Sequence, residues 1–138
     1  MWNFYLLWRF FLSMEPEAKT HIILVAEDEA LVRQLSVCEL EDAGYRVIEA
    51  ADAGQAIAIL ETGVPVDVLF TDVNMPGDMD GIRLVRLVHS RWPDVGLIVT
   101  SGRADIPWAE LPHDGQFIRK PYRLSEMSEI VGRMAALH

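Results

Sequence analysis

Short apolar runs alternate with longer amphipathic stretches from residue 20 to the end of the chain. Residues 21–26 and 66–71 are almost continuously apolar, which is typical of strands that are buried on both faces of a sheet. Three further runs predict strands as well, and they span residues 45–50, 95–100 and 116–119. Strands that alternate with helices predict the α/β class, here a three-layer fold in which helices cover both faces of a five-stranded parallel sheet.

The first amphipathic stretch, residues 29–43, predicts a helix that ends at Gly44. Its apolar positions recur at mostly helical spacing and are expected to face the core; they are Leu31, Val32, Leu35, Cys38 and Leu40. Cys38 is the only cysteine of the chain, so a disulfide within the chain is excluded. Its place among the apolar positions predicts a buried thiol with a packing role.

The other helices are bounded by residues that favour helix ends. Asp52 or Ala53 opens the second helix, the third runs from about residue 82 to 90, and Ser125 is expected to cap the last one. Between the fourth and fifth strands, residues 102–115 contain two prolines and lack a clear helical pattern. The helix expected there, the fourth of the fold, is therefore predicted to be short or irregular.

The composition fits one folded domain. The chain has 138 residues, of which 51% are hydrophobic and 24% are charged, which suffices for a core and does not indicate disorder. The formal net charge of −9 argues against a nucleic-acid-binding surface, for which a basic patch is expected. The lack of a disulfide framework and of an export signal predicts a cytoplasmic location.

Residues 1–19 differ in character and are interpreted as an extension of a domain that spans residues 20–138. The first thirteen residues are strongly apolar and aromatic, but this run is too short to span a bilayer and lacks the features of a signal peptide. Three interpretations stay open: an upstream start with Met14 as the usual initiator, which we favour, an interfacial or partner-binding helix, and an additional packed segment. An exposed segment of this kind would promote self-association, so a homodimer is among the expected assemblies.

Chemically matched side chains follow four of the five predicted strands. Ligands of open parallel sheets bind beyond the carboxyl ends of the strands, so these groups are expected to converge. They are Glu27 and Asp28 after the first strand, Asp72 and Asn74 after the third, Ser101 after the fourth and Lys120 after the fifth. Each residue alone would fit a helix cap, a turn or a solvated surface position, whereas the joint pattern predicts a site.

The predicted site suits a divalent cation and phosphoryl chemistry. Glu27, Asp28, Asp72 and the backbone carbonyl of Asn74 offer the oxygen ligands that Mg²⁺ prefers. Clustered acids also repel one another unless a cation is bound, which is a physical reason to expect the metal. The carboxylate of Asp72 is a candidate nucleophile toward phosphorus. Lys120 and the metal would neutralise the phosphoryl oxygens, and the hydroxyl of Ser101 would donate to one of them.

These residues closely resemble the motifs of the response-regulator receiver family, and the similarity covers about residues 20 to 137. The segments that carry the resemblance are Ala26-Glu27-Asp28-Glu29, Phe70-Thr71-Asp72 through Pro76, Met79-Asp80-Gly81, Val99-Thr100-Ser101-Gly102 and Phe117-Ile118-Arg119-Lys120-Pro121. The resemblance implies the flavodoxin-like (CheY-like) strand order 2-1-3-4-5.

The resemblance also implies a function. Asp72 would accept a phosphoryl group from a histidine kinase or a histidine phosphotransfer protein, with Mg²⁺ as the cofactor. Ser101 and Phe117 would be the switch residues, which couple Asp72 to the surface of the fourth helix, fifth strand and fifth helix. The chain is then expected to be a single-domain switch of a two-component or phosphorelay system, with at most weak autophosphatase activity and an unidentified downstream protein target.

Three features depart from the family pattern. The loop after Asp72 carries an extra residue, Asp78. Thr100 is the alternative to Ser101 as the switch hydroxyl, and Ser101 is preferred because the small residue Gly102 follows it. The irregular fourth helix predicts a looser output surface or a different partner.

Two alternative functions share parts of the pattern. A pseudo-receiver would keep the fold as a protein-binding module without phosphorylation, but the complete set of Asp72, Ser101 and Lys120 argues against it. An aspartyl-nucleophile phosphatase places a second acid two residues after the nucleophile. This chain has Asn74 there, which cannot act as a general acid.

Overall fold

The computed structural model describes residues 20–103, 109 and 111–138. Five parallel strands form one sheet in the order β2-β1-β3-β4-β5. The strands are β1 (Ile22–Ala26), β2 (Arg46–Ala50), β3 (Val68–Asp72), β4 (Gly96–Ser101) and β5 (Gln116–Arg119). The predicted fold class and strand order are confirmed.

Four helices of the described chain flank the sheet, and they are α1 (Ala30–Asp42), α2 (Ala53–Glu61), α3 (Gly81–Arg91) and α4 (Leu124–Ala136). The irregular helix predicted between β4 and β5 would fall mostly on residues 104–108 and 110, which lie outside the described residues, as do residues 1–19. The last helix of the chain is therefore α4 in the present numbering. Within the described part of the chain, no helix is long and apolar enough to cross a membrane.

The core consists of two layers that the sheet separates. Side chains alternate along β1, so that Leu24 faces one layer and Val25 faces the other. Helices α2 and α3 fill the first layer with Ala53, Ala56, Leu60, Ile82, Leu84, Val85 and Val88. Helices α1 and α4 fill the second with Leu40, Met127, Val131, Met134 and Ala135. Both faces of the parallel sheet are thus covered, as the continuous apolar strands predicted.

Three helix ends carry the residue types that favour such positions. The side chain of Asp52 accepts a hydrogen bond from the N–H of Gln55 at 2.8 Å, which confirms it as the cap of α2. The side chain of Asp80 caps α3 in the same way. Gly44 follows the end of α1 with a φ of +100°, a conformation that glycine adopts without steric cost.

The predicted buried face of α1 is right for Leu40, which is fully buried, but wrong for Leu31, Leu35 and Cys38. Leu31 and Leu35 are 69% and 49% exposed, and Cys38 is exposed as well, so the predicted buried thiol is also wrong. Besides Leu40, the buried residues of α1 are Ser36 and Val37, which the prediction did not include. Apolar residues occupy much of the circumference of this helix, so their spacing alone does not decide which side faces the sheet. The side chain of Ser36 interacts with the hydroxyl of Tyr122 and offsets part of the rise that burial gives the pKa of that tyrosine.

The predicted cap of the last helix is also wrong. The helix α4 begins at Leu124, the residue at its N-cap position is Arg123, and no side chain caps it by a hydrogen bond. Ser125 therefore lies inside the first turn. Its side chain is exposed there, so the sequence preference for serine at helix starts located the helix end to within two residues.

Candidate functional site

Three carboxylates meet where β1 and β3 end. Glu27 directly follows β1, Asp28 comes next, and Asp72 is the last residue of β3, which is paired in parallel with β1. One carboxylate oxygen of each residue lies within 4.8 Å of the other two. Glu27 and Asp72 are buried whereas Asp28 is exposed, so the cluster is open to solvent on one side.

Lys120 joins this cluster from β5. Its Nζ donates to Asp72 Oδ2 at 2.9 Å and lies 3.6 Å from Glu27 Oε1. The backbone N–H of Lys120 donates to the carbonyl of Ser101 at 3.0 Å, which continues the β4–β5 ladder by one residue and fixes where the side chain starts. Burial lowers the pKa of Lys120, but the hydrogen bond to Asp72 and the charge of that carboxylate outweigh it and raise the pKa above its ordinary value. The lysine is therefore a fixed positive charge at this site.

The carboxylate cluster carries more negative charge than Lys120 neutralises. The pKa of Glu27 is raised from 4.5 to about 7, first because burial disfavours its charged form and then because of Asp28 and Asp72 beside it. Three ionised carboxylates against one ammonium would leave two uncompensated charges, which is the charge of a divalent cation. The donors are all oxygens, and one side is open for retained waters, so the residues fit Mg²⁺.

The loop after β3 holds Asp72 in place. The backbone N–H of Asn74 donates to Asp72 Oδ1 at 3.2 Å, so the two carboxylate oxygens of Asp72 have different partners. The backbone N–H of Gly81 donates to the carbonyl of Val73 at 2.9 Å, which brings the start of α3 against this loop. The prediction that the carbonyl of Asn74 binds a metal stays a prediction.

The last two residues of β4, Thr100 and Ser101, carry hydroxyls that lie on opposite faces of the sheet. Ser101 is buried, and its Oγ accepts from the N–H of Arg103 at 3.0 Å. Thr100 lies opposite Asp72 in the register, and its Oγ1 is buried with no hydrogen-bond partner in the described chain. Phe117 packs against the same core layer as Val99, two residues before Ser101, so Ser101 and Phe117 share a face of the sheet.

Sequence reasoning missed Arg33 in α1. Its Nη1 donates to the backbone carbonyl of Glu27 at 2.7 Å, and its Nε donates to Glu49 Oε1 at 3.0 Å. The guanidinium thus ties the loop that carries two of the acids to both α1 and β2. A single basic residue one helical turn after an acidic cluster was the available signal, but its direction depends on the packing of the helix.

Comparison with known sequences points to one family. The model of the response regulator receiver domain matches residues 23–132. The response regulator receiver protein CpdR of Brucella abortus (strain 2308) is 33% identical over 115 residues, which cover 81% of this chain and 94% of CpdR. The sensor kinase CckA of the same organism is 39% identical over 116 residues, which cover 81% of this chain but only 12% of the kinase. The transcriptional regulatory protein PhoP of Escherichia coli (strain K12) is 32% identical, and the match spans 51% of its length.

Solved structures agree with this comparison. The receiver domain of the hybrid histidine kinase CckA superimposes with a TM-score of 0.71 at 30% sequence identity, covering 83% of this chain and 98% of that one. A response regulator receiver protein from Sinorhizobium medicae WSM419 superimposes with a TM-score of 0.79 at 26% identity, covering 86% and 96%. Since sequence motifs, strand order and relatives all agree, the chain belongs to the family of response regulator receiver domains, the signal-receiving modules of two-component systems.

Proposed function

We propose that this receiver domain is a switch that is set by phosphorylation of Asp72. The observation that carries the proposal is the position of the Asp72 carboxylate, which ends β3 inside the acidic cluster and 2.9 Å from the Nζ of Lys120. A carboxylate oxygen of Asp72 would form a bond to the phosphorus of a phosphohistidine. The phosphorus–nitrogen bond of the donor breaks, and the imidazole leaves with the electron pair and takes up a proton.

The residues around Asp72 support this transfer through charge and position. Mg²⁺, held by Glu27, Asp28, Asp72 and the carbonyl of Asn74, would supply positive charge to the phosphoryl oxygens. Lys120 is already hydrogen-bonded to Asp72, so its ammonium is in place for the same oxygens before any donor binds. Phosphoryl transfer depends mainly on such positioning and charge stabilisation, and the described contacts of Asp72 and Lys120 support this assignment.

The signal would leave the site through Ser101 and Phe117. We infer that the hydroxyl of Ser101 exchanges its contact with the N–H of Arg103 for a phosphoryl oxygen. Phe117, on the same face of the sheet, would then repack, which is the two-state element that phosphorylation biases. The chain acts in this proposal as a binding switch with at most a slow self-dephosphorylation. Its phosphoryl donor is a histidine kinase or a histidine phosphotransfer protein.

Intact-mass spectrometry after incubation with acetyl phosphate and Mg²⁺ tests the proposal. We expect one added phosphoryl group on the unmodified sequence and none on Asp72→Asn. The adduct should disappear when Mg²⁺ is chelated, and hydroxylamine should remove it because an aspartyl phosphate is an acyl phosphate. Asp80→Asn is the matched control, since Asp80 lies in the same loop but its side chain caps α3 instead of facing Lys120. This variant should still be modified.

An adduct of the same yield on Asp72→Asn would contradict the assignment of the phosphoacceptor. A folded protein that binds Mg²⁺ but acquires no phosphoryl group, from acetyl phosphate or from a histidine-phosphorylated protein donor, would favour the pseudo-receiver. In that case the acidic cluster would serve protein binding alone.

A further inference from the structure

An apolar stripe lies uncovered on the outer face of α1. Leu31, Leu35 and Cys38 follow one another at intervals of four and three residues, so they share one side of the helix. Leu31 is 69% exposed, Leu35 is 49% exposed, and Cys38 is exposed. Besides the two leucines, the described chain exposes only one other large apolar side chain, Leu137.

A groove of about 610 Å³ adjoins the stripe on the side of the phosphorylation site. On the α1 side it is lined by Val32 and Leu35, and on the other side by the segment that follows β5, with Tyr122 and Leu124. Lys120 lies at its edge. The stripe and the groove together form a continuous, mostly apolar surface that no described residue covers, and we call it the α1 surface.

The N-terminal extension enters the described chain beside this surface. The carbonyl of His21 accepts from the N–H of Arg46 at 3.0 Å, and the ring of His21 lies 6.4 Å from that of Tyr45. The N–H of Tyr45 in turn donates to the carbonyl of Leu40 in the last turn of α1, at 3.1 Å. The chain thus emerges at the C-terminal end of α1.

The extension is long enough to reach the whole α1 surface. Residues 14–19 span about 20 Å when extended. The thirteen residues of α1 are about 20 Å long as well. Residues 1–13 can therefore lie along α1 from Cys38 up to Leu31 without any movement of the sheet.

The extension and α1 also match in chemistry. Ten of the first thirteen residues are apolar or aromatic, none is acidic, and Arg9 is positively charged. The helix carries Glu39, Glu41 and Asp42 against one basic residue, Arg33. Apolar surface and opposite charge thus favour the same contact.

We propose that residues 1–13 dock on the α1 surface of their own chain. The docked segment buries Leu31, Leu35 and Cys38. The tether gives the segment an effective concentration in the millimolar range, which a second copy of the chain does not reach at ordinary protein concentrations. The proposal corresponds to the third interpretation of the extension, an additional packed segment, and not to the upstream start that the sequence analysis favours.

The rate at which iodoacetamide alkylates Cys38 in the full chain tests the proposal. Cys38 is the only cysteine and lies on the α1 surface, so its labelling rate reports whether that surface is covered. We expect slow labelling of the unmodified sequence, and labelling about tenfold faster when Leu7→Asp and Phe11→Asp are introduced together. Leu31→Asp, on the helix side of the contact, should raise the rate in the same way.

Leu137→Asp is the matched control, because it changes an exposed leucine outside the α1 surface and should leave the labelling rate unchanged. The proposal would be overturned if the unmodified chain, the double variant Leu7→Asp/Phe11→Asp and the variant Leu31→Asp were all labelled at the same rate. Protection that grows with protein concentration would overturn it too, since it would assign the α1 surface to a second copy. Because labelling needs no phosphoryl donor, the result is independent of the proposed phosphorylation of Asp72.

Discussion

Glu27 is the residue at which burial and charge oppose each other most directly. It is 5% exposed, and its pKa is raised from 4.5 to about 7 by burial and by its acidic neighbours. Between these two pH values the folded protein retains a proton that the unfolded chain has released. Without a cation, the free energy of unfolding should therefore fall as the pH rises from about 4.5 to about 7, and should be level above.

Glu27→Gln should remove this fall. The amide is neutral at every pH, so we expect the variant to be more stable than the unmodified protein by about 1 to 3 kcal/mol at pH 8 in a chelating buffer. At pH 4.5 the two proteins should be nearly equal. Urea unfolding at both pH values measures the difference, with the exposed Glu41→Gln as the control that should keep the original pH dependence. An unchanged slope in Glu27→Gln would mean that Glu27 is not the group that holds the proton.

Arg33 should act on the metal site without contacting the metal. Its donation to the carbonyl of Glu27 at 2.7 Å fixes the loop that carries Glu27 and Asp28. We expect Arg33→Met to weaken Mg²⁺ binding by about tenfold, a typical effect of losing a group that orients metal ligands. Calorimetric titration with Mg²⁺ measures the affinity, and Arg86→Met, an exposed arginine of α3, is the control that should not change it.

A variant Arg33→Met that loses stability while keeping its Mg²⁺ affinity would reduce the role of Arg33 to packing. Glu49→Gln offers a second check, since it weakens the contact at Nε but leaves the contact with the Glu27 carbonyl. This variant should bind Mg²⁺ with an affinity between those of the other two proteins.

Position along the chain was enough to predict which side chains of the candidate site lie together, but not which residues hold them in place. Glu27, Asp72 and Lys120 each directly follow or end a strand of the sheet, and parallel strands bring such positions to one edge. The bridge from Arg33 to Glu49 joins a helix to a strand sixteen residues away, and it exists only because of how α1 is rotated on the sheet. The local sequence does not predict how α1 is rotated on the sheet.

At the scale of elements, α1 shows where periodicity fails. Leu31, Leu35 and Leu40 are all apolar, yet only Leu40 is buried. The side of the helix that faces the core is instead the one that carries Ser36, Val37 and Leu40. The place of a serine in the sequence does not distinguish a buried serine such as Ser36 from a solvated one.

The start of α3 is predicted to be the most constrained helix end near the site. A Cβ on Gly81 would overlap the backbone carbonyl of Asp72 and lie 2.8 Å from the Cα of Val73. We expect Gly81→Ala to destabilise the fold by about 2 kcal/mol or more and to lower the yield of phosphorylated Asp72, because the loop around Asp72 must move. Urea unfolding and the intact-mass assay measure the two effects.

Gly54→Ala is the matched control for that substitution. Gly54 also lies in the first turn of a helix whose N-cap is an aspartate, but its Cβ would meet only Asp52 Oδ1, at 3.4 Å. Alanine favours a helix over glycine, so this variant should be unchanged or more stable by about 0.5 to 1 kcal/mol. Similar losses in both variants would show that the close approach at Gly81 is not the cause.

At the scale of the whole molecule, the strand order concentrates negative charge at one point. The order β2-β1-β3-β4-β5 places β1 and β3 side by side at the centre of the sheet, so the acids that follow them cannot avoid one another. This much followed from the sequence through the family resemblance. The result is a cluster of three carboxylates, two of them buried, beside one lysine. Repulsion between these carboxylates destabilises the fold when no cation is bound.

Mg²⁺ should therefore stabilise the entire fold. A ligand that binds only the folded state adds about 2.7 kcal/mol to the free energy of unfolding at a concentration one hundred times its dissociation constant. We expect the urea midpoint to rise with Mg²⁺ at pH 8, and to rise less at pH 5.5, where the proton held by Glu27 competes with the cation. NaCl at matched ionic strength is the control and should not reproduce the effect.

Asp72→Asn should lose most of the stability gained with Mg²⁺, since it removes a central carboxylate, whereas Asp80→Asn should keep that gain. An equal rise of the urea midpoint with NaCl would indicate an effect of ionic strength and not specific binding of Mg²⁺. An undiminished rise in Asp72→Asn would mean that the cation binds outside this cluster.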